Sequence, residues 1–272
     1  MPGALDSYAN LPGLEIQGLV GLILSYFLAS LRIGAFVIAS PLFGARSIPV
    51  QVRIVMVVML TMLVVSRVTP PDAADLGTAK LVAVVFTEIA LGLGAGMILN
   101  IWFAAAALAG EKIAGSTGLG FASQIDPNMG GQTPVVSQFL TMFLTAIFLS
   151  MNGHILVLTA ILESYVILPI GTVTGLLVIA RAGIDATGDM FAAASLIMLP
   201  AVSVLLLVNL IIGVITRSAP QLNLFSFGFP ITMMVAFLTM YVTVSVMGYA
   251  LFDLAQAGIR AMMNLLLVLA DG

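Results

Sequence analysis

Four stretches of this chain, 89–110, 127–162, 190–216 and 218–252, contain no Asp, Glu, Lys or Arg. Each is longer than the roughly 20 apolar residues a helix needs to cross the hydrocarbon core of a bilayer. Two further apolar stretches are less clean: 16–43 carries Arg32 in its middle, and 54–66 lies between Arg53 and Arg67. A soluble particle of 272 residues must clothe its exterior in polar side chains. Here 61% of residues are hydrophobic and 8% are charged, where an ordinary soluble domain has about 25% charged. Nine basic and twelve acidic residues cannot cover such a surface. A soluble globular enzyme is therefore excluded, and so is disorder, which requires low hydrophobicity and high charge. The net charge of −3 offers no basic face for nucleic acid. Without cysteine there is no disulfide, no thiolate chemistry and no Cys-based metal site. What remains is an integral membrane protein, or one whose exterior is shared between lipid and partner subunits.

No segment alternates apolar and polar residues, so the fold class is all-α. The pattern predicts helices over about 16–43, 50–67, 79–109, 134–151, 154–180, 188–217 and 229–254, with a shorter one at 256–270. Pro41, Pro49, Pro169, Pro200 and Pro230 fall in or beside them and predict splits or bends. Polar turns are expected at 44–49, 68–78, 110–134 and 217–229. No repeat, low-complexity tract or dividing linker is visible, which predicts one compact helical unit. The first basic residue is Arg32, so the positive region that opens a removable signal peptide is missing. The 44–53 and 67–80 connections each carry two basic residues and flank the same helix, so the positive-inside rule assigns no orientation.

Several polar residues sit where lipid would penalise them. A lone Arg at a helix centre costs at least ~2.5–3.5 kcal/mol in a bilayer. Arg32 thus reads either as half of an internal or intersubunit ion pair, or as a transport or gating group. Glu88, Gly92, Gly96, Asn100 and Ala104 recur every four residues along one helix face. Gly92 and Gly96 form a GxxxG surface for close backbone approach. That stripe reads as a packing seam with a paired Glu, or as a proton relay lacking an identified second group. Asn209, Gly213 and Arg217 repeat the spacing, with Arg217 placed to complement the carbonyls of a last helical turn. Thr232, Ala236, Thr239, Thr243 and Ala250 form a third small-residue stripe. Three such seams suggest a subunit packed in an assembly more than a monomer in lipid.

His154 follows Asn152-Gly153, a helix-ending pair, and is placed to bond terminal carbonyls. No second His exists, so no multi-His metal site is expected. Catalytic motifs fail: in Gly115-Ser116-Thr117-Gly118 the Ser stands one place early for an intramembrane protease GxSG. Gly92-Leu93-Gly94-Ala95-Gly96 lies within a helix instead of after a strand. No cofactor is implied.

The 110–134 connection stands apart. Gly110, Gly115, Gly118, Gly120, Gly130 and Gly131 make it the most glycine-rich span, yet Ile113, Leu119, Phe121 and Ile125 keep it half apolar. Irregular backbone at membrane depth survives only where protein or a water-filled cavity satisfies it. The span reads as a re-entrant segment lining a path, as a flexible loop packed over one, or as an ordinary long loop.

Three blocks of residues resemble the FliR family of flagellar export-gate subunits and their counterparts in virulence type III secretion systems. The first runs from Arg32 through Ser40-Pro41 to Ser47-Ile48-Pro49-Val50-Gln51-Val52-Arg53. The second runs from Gly110-Glu111 through Gly120-Phe121-Ala122 and Asp126-Pro127 to Asn152-Gly153-His154, closing at Leu168-Pro169-Ile170-Gly171. The third is Asn209-Leu210, Arg217-Ser218-Ala219-Pro220-Gln221-Leu222-Asn223 and Gly228-Phe229-Pro230. Together they span about 30–230. The resemblance implies a FliP-like part over about 1–186 and a FliQ-like part over about 187–272. It implies a bacterial inner-membrane location in the flagellar basal body, where one such subunit joins several FliP-like and FliQ-like copies in a helical, right-handed gate. FlhB-like and FlhA-like subunits would attend that gate, unfolded flagellar proteins would pass through it, and the proton gradient with a separate ATPase would drive them. It also implies that a loop mapping onto about Gly110–Pro127 plugs the closed pore. Gly110, Gly115, Gly118, Leu119, Gly120, Phe121, Ser123, Asp126 and Pro127 are the gating residues on that reading. Arg32, Glu88, Gly92, Gly96, Asn100, Asn152, His154, Asn209, Arg217 and Gln221 are then the buried polar and packing positions. The competing class is a small-ion or solute transporter working through Glu88, Arg32 and His154.

Overall fold

The computed structural model describes residues 16–68, 77–118, 134–172, 175–219 and 227–271. They form seven helices: α1 Ile16–Ala39, α2 Val50–Val65, α3 Thr78–Ser116, α4 Val135–Ser150, α5 Gly153–Ile167, α6 Leu176–Ser218 and α7 Phe229–Asp271. No strand occurs among the described residues, so the fold is all-α. Helices α3, α6 and α7 are each long and apolar enough to cross a membrane. Helices α4 and α5 together reach that length but bend by 67° at their junction.

Proline sets several boundaries. Pro41 lies just past the end of α1, and the chain turns through Gly44, whose amide donates to the Ser40 carbonyl at 2.9 Å. A Cβ at Gly44 would stand 2.6 Å from that same oxygen, so the turn admits no side chain there. Pro49 and Pro134 precede α2 and α4 with φ −58° and −53° and extended ψ. Neither helix has a side-chain cap; instead the proline carbonyl accepts from Val52 (3.1 Å) in one case and Gln138 (3.1 Å) in the other. Pro230 sits in the first turn of α7, where its missing N–H is no loss. Pro200 lies inside α6, which remains one 43-residue helix.

The expected elements differ from the observed ones at four places. The helix predicted over 154–180 stops at Ile167, because Pro169 cannot continue it, and a new helix starts at Leu176 instead of 188. The helices expected at 229–254 and 256–270 are one element, α7. Residues 110–116, expected to open a polar turn, are the last turns of α3. Finally, the helices pack as two units instead of one. The first contains Met1–Leu99, Ile155–Gly183 and Ala261–Gly272; the second contains Asn100–His154 and Ile184–Arg260. Because α3, α6 and α7 each serve both, no linker in sequence could have marked the division.

In the first unit α1 packs against α2, and Leu28, Ile33, Phe36, Leu91 and Ile161 are fully or almost fully buried. In the second, Phe103 meets Phe148 edge-on at 5.3 Å, and Leu144 and Ile113 are fully buried. Hydroxyls on these apolar helices are mostly satisfied within their own backbone. Thr61, Thr87, Thr141, Thr145, Thr239 and Thr243 each donate to the carbonyl four residues back, at 2.7–2.9 Å. Such back-bonding lets a polar side chain sit in an apolar setting without a partner helix.

Candidate functional site

Two polar centres are built from residues distant in sequence. The first lies in the unit that contains α1. Arg32 is fully buried and forms a two-pronged pair with Glu88 of α3, Nε to Oε2 at 2.8 Å and Nη2 to Oε1 at 3.0 Å. Its Nη1 donates to Ser164 Oγ at 2.9 Å, and Nη2 also donates to the Leu168 carbonyl at 2.9 Å. Four of the five guanidinium donors are thus used. The Tyr165 ring lies 4.2 Å from the guanidinium carbon, and its hydroxyl donates to the Ala29 carbonyl at 2.6 Å. The Leu168 carbonyl is left over because α5 ends before Pro169. Arg32 therefore caps the helix break as well as neutralising Glu88.

The backbone around the pair is close. A Cβ on Gly92 would overlap the Arg32 carbonyl, and one on Gly96 would stand 2.7 Å from the Ala39 Cβ. Gly94, on another side of α3, leaves room for Ile179, which a Cβ would approach to 2.7 Å. The stripe from Glu88 is buried through Gly96, but Asn100 and Ala104 are exposed. Each step of four residues advances about 40° around a 3.6-residue helix, so the stripe winds off the α1 face.

The second centre is the C-terminal end of α3, in the other unit. Gly110 is inside the helix, where a Cβ would collide with the backbone of Val136 and Ser137. Ser137 Oγ in turn donates to the Ala107 carbonyl at 2.9 Å. Gly110 is thus a helix-crossing glycine. Gly115 is helical and open, while Gly118 takes φ +83° with the Phe229 ring against its Cα. Asn209 Nδ2 donates to the Ser116 carbonyl and Thr232 Oγ1 to the Thr117 carbonyl, each at 2.8 Å. Leu119, Gly120, Phe121, Ser123, Asp126, Pro127 and Gln221 lie outside the described residues.

The remaining expected polar positions are less enclosed than the sequence suggested. Asn152, Asn209 and Arg217 are exposed, as is Asn100. Asn152 takes φ +57° in the turn between α4 and α5, and a Cβ on Gly153 would meet the Phe148 ring at 2.7 Å. His154 is half-buried, and its Nδ1 is buried without a hydrogen-bond partner among the described residues, so no terminal carbonyl is bonded through that atom. Arg217 stands in the last turn of α6. Among the described residues no group of His, Asp and Glu is arranged to hold a metal. Sequence reading missed Ser164, Tyr165 and Ser137, none of which carries a signal by itself, and it placed Phe229 only within the Gly228-Phe229-Pro230 block, with no contact to Gly118.

Residues 23–257 match the family described as bacterial export proteins, family 1. The chain belongs to that family. It is similar to the flagellar biosynthetic protein FliR of Pectobacterium carotovorum subsp. carotovorum, 32% identical over 226 residues, 82% of this chain and 85% of that protein. Its likeness to FliR of Bacillus subtilis strain 168 is 30% over 258 residues, covering 92% and 98% of the two chains. FliR of Escherichia coli K12 is 30% identical over 214 residues, 77% and 80% of the chains. Both polar centres lie within the span shared with this FliR family.

Proposed function

We propose that this chain is a non-enzymatic subunit of the flagellar type III protein export gate in the bacterial inner membrane, at the flagellar basal body. With FliP-like and FliQ-like partners it forms a channel for unfolded flagellar proteins, and FlhB-like and FlhA-like subunits attend it. The observation that carries this reading is family membership over residues 23–257 alongside relatives named as flagellar biosynthetic proteins. On the same reading residues of about 1–186 are the FliP-like part and about 187–272 the FliQ-like part.

The segment of about 110–127 is the plug. Support comes from its composition, glycine for backbone freedom and Leu119, Phe121 and Ile125 for an apolar seal. Gly110 through Ser116 belong to the helix that carries it, so the movable part starts no earlier than Gly118. The transporter reading loses support at Arg32 and Glu88, whose charges are spent on one another, on Ser164 and on a helix break.

The absence of cysteine makes the test clean. Thiols introduced at Ser116 and Ser123 are expected to crosslink to partner pore residues in the closed gate. Deletion of 119–121, which spares the end of α3, is expected to raise ion leak while assembly persists. Failure of every thiol pair in an assembled gate would overturn the plug.

A further inference from the structure

The end of α3 is closed in an unusual way. A helix leaves its last four carbonyls without intrahelical donors. In the final turn, the Ala114 carbonyl accepts from Thr117, through N at 3.2 Å and Oγ1 at 2.6 Å, and the Gly115 carbonyl accepts from the Gly118 amide at 3.2 Å. The next two carbonyls are served from other helices: Ser116 by Asn209 of α6 and Thr117 by Thr232 of α7. The Phe229 ring occupies the space a side chain at position 118 would need, and Gly118 is in the left-handed region. Thus α6 and α7 together grip three consecutive residues at the point where α3 ends.

We propose that Asn209 and Thr232 are positioning residues that latch the C-terminal end of α3 and so fix where the chain departs into the segment read as the plug; the functional half of this rests on that reading. The chemistry suits a latch that opens. Both bonds are between neutral groups, which contribute modestly. The single hydroxyl hydrogen of Thr232 has a second acceptor 3.0 Å away, the Phe229 carbonyl of its own helix. On release it turns to that oxygen, and no donor is stranded. Asn209 is exposed, so its amide is not stranded either. Release therefore exposes two backbone carbonyls and leaves the cores of the units intact.

The test uses the full chain produced with its gate partners in membrane vesicles, with one thiol introduced by Ser116→Cys and, as a control in the same unit, another chain carrying Ser150→Cys at the end of α4. Asn209→Leu and the near-isosteric Thr232→Val should each raise the rate of N-ethylmaleimide labelling at position 116 by about three- to tenfold, the range of one lost hydrogen bond. The rate at 150 should stay at the parent value, and Thr232→Ser, which keeps the hydroxyl, should label at 116 like the parent. Unchanged labelling at 116 in both variants overturns the latch, and so does an equal rise at 150, which would mean general loosening. Ion leak through the same vesicles separates the two readings. Faster labelling with more leak supports both. Faster labelling with unchanged leak supports the latch and counts against the plug. Unchanged labelling leaves the plug to its own crosslinking test.

Discussion

Arg32 illustrates how one residue can look functional in sequence and be fully engaged in structure. A guanidinium placed mid-helix is costly in hydrocarbon, and here the cost is offset by Glu88, Ser164, the Leu168 carbonyl and the Tyr165 face. Removing one partner is worse than removing both, because a buried carboxylate is left uncompensated. Arg32→Met is therefore expected to destabilise by about 3–5 kcal/mol, read as a lower midpoint of thermal aggregation in detergent. Arg32→Met with Glu88→Leu should recover much of that loss, giving a large coupling in a double-mutant cycle. The recovered double variant should also support motility in a strain lacking the wild-type chain. A stable double variant that exports nothing would return Glu88 to the list of working groups.

Helix α3 shows the same economy along an element. Its glycines look alike in sequence but do different jobs. Gly92, Gly96 and Gly110 admit another backbone, Gly94 admits Ile179, Gly115 faces open space and Gly118 turns the chain. The expected consequence is a graded alanine series in thermal midpoint. Gly92→Ala and Gly110→Ala should lose about 1–3 kcal/mol through overpacking. Gly115→Ala should gain a few tenths to about 1 kcal/mol through helix propensity and reduced unfolded-state freedom. Equal effects at Gly92 and Gly115 would mean that the α1–α3 contact is not as close as described. The break between α5 and α6 follows similar logic, since Pro169 ends one helix and a side chain from α1 satisfies the carbonyl it leaves.

For the whole molecule, the decisive feature is how little of α6 and α7 is covered. Along α6 only a stripe is buried, Ala186, Met190, Ala194, Ile197, Ala201, Leu205 and Ile212, while Leu196, Leu206, Leu207 and Leu210 are more than half exposed. On α7, Met234, Phe237, Tyr241 and Tyr249 are exposed to a similar degree. Apolar surface of this extent requires lipid or protein against it. If partner subunits supply much of that cover, the chain should accumulate several-fold less, and be cleaved faster by added protease, when produced without FliP-like and FliQ-like proteins than with them. Equal accumulation and protection in both cases would place lipid alone on those faces.

Hydropathy and periodicity are local, and so the residue order alone determined the all-α class, the approximate places of the long apolar helices and the presence of costly charges such as Arg32 and Glu88. It also carried family membership, since residues 23–257 match the family of bacterial export proteins. Tertiary structure decided the rest. Arg32 finds Glu88 56 positions away and Ser164 132 away, and Thr232 finds Thr117 at a separation of 115; no local pattern encodes a partner at that distance. Whether a glycine lines a helix crossing, as Gly110 does, or faces open space, as Gly115 does, depends on what another helix places beside it. Even where α3 ends was a tertiary outcome: residues 110–116 look like loop by glycine content, and they stay helical because the α4 backbone packs against Gly110 and side chains from α6 and α7 close the final turn.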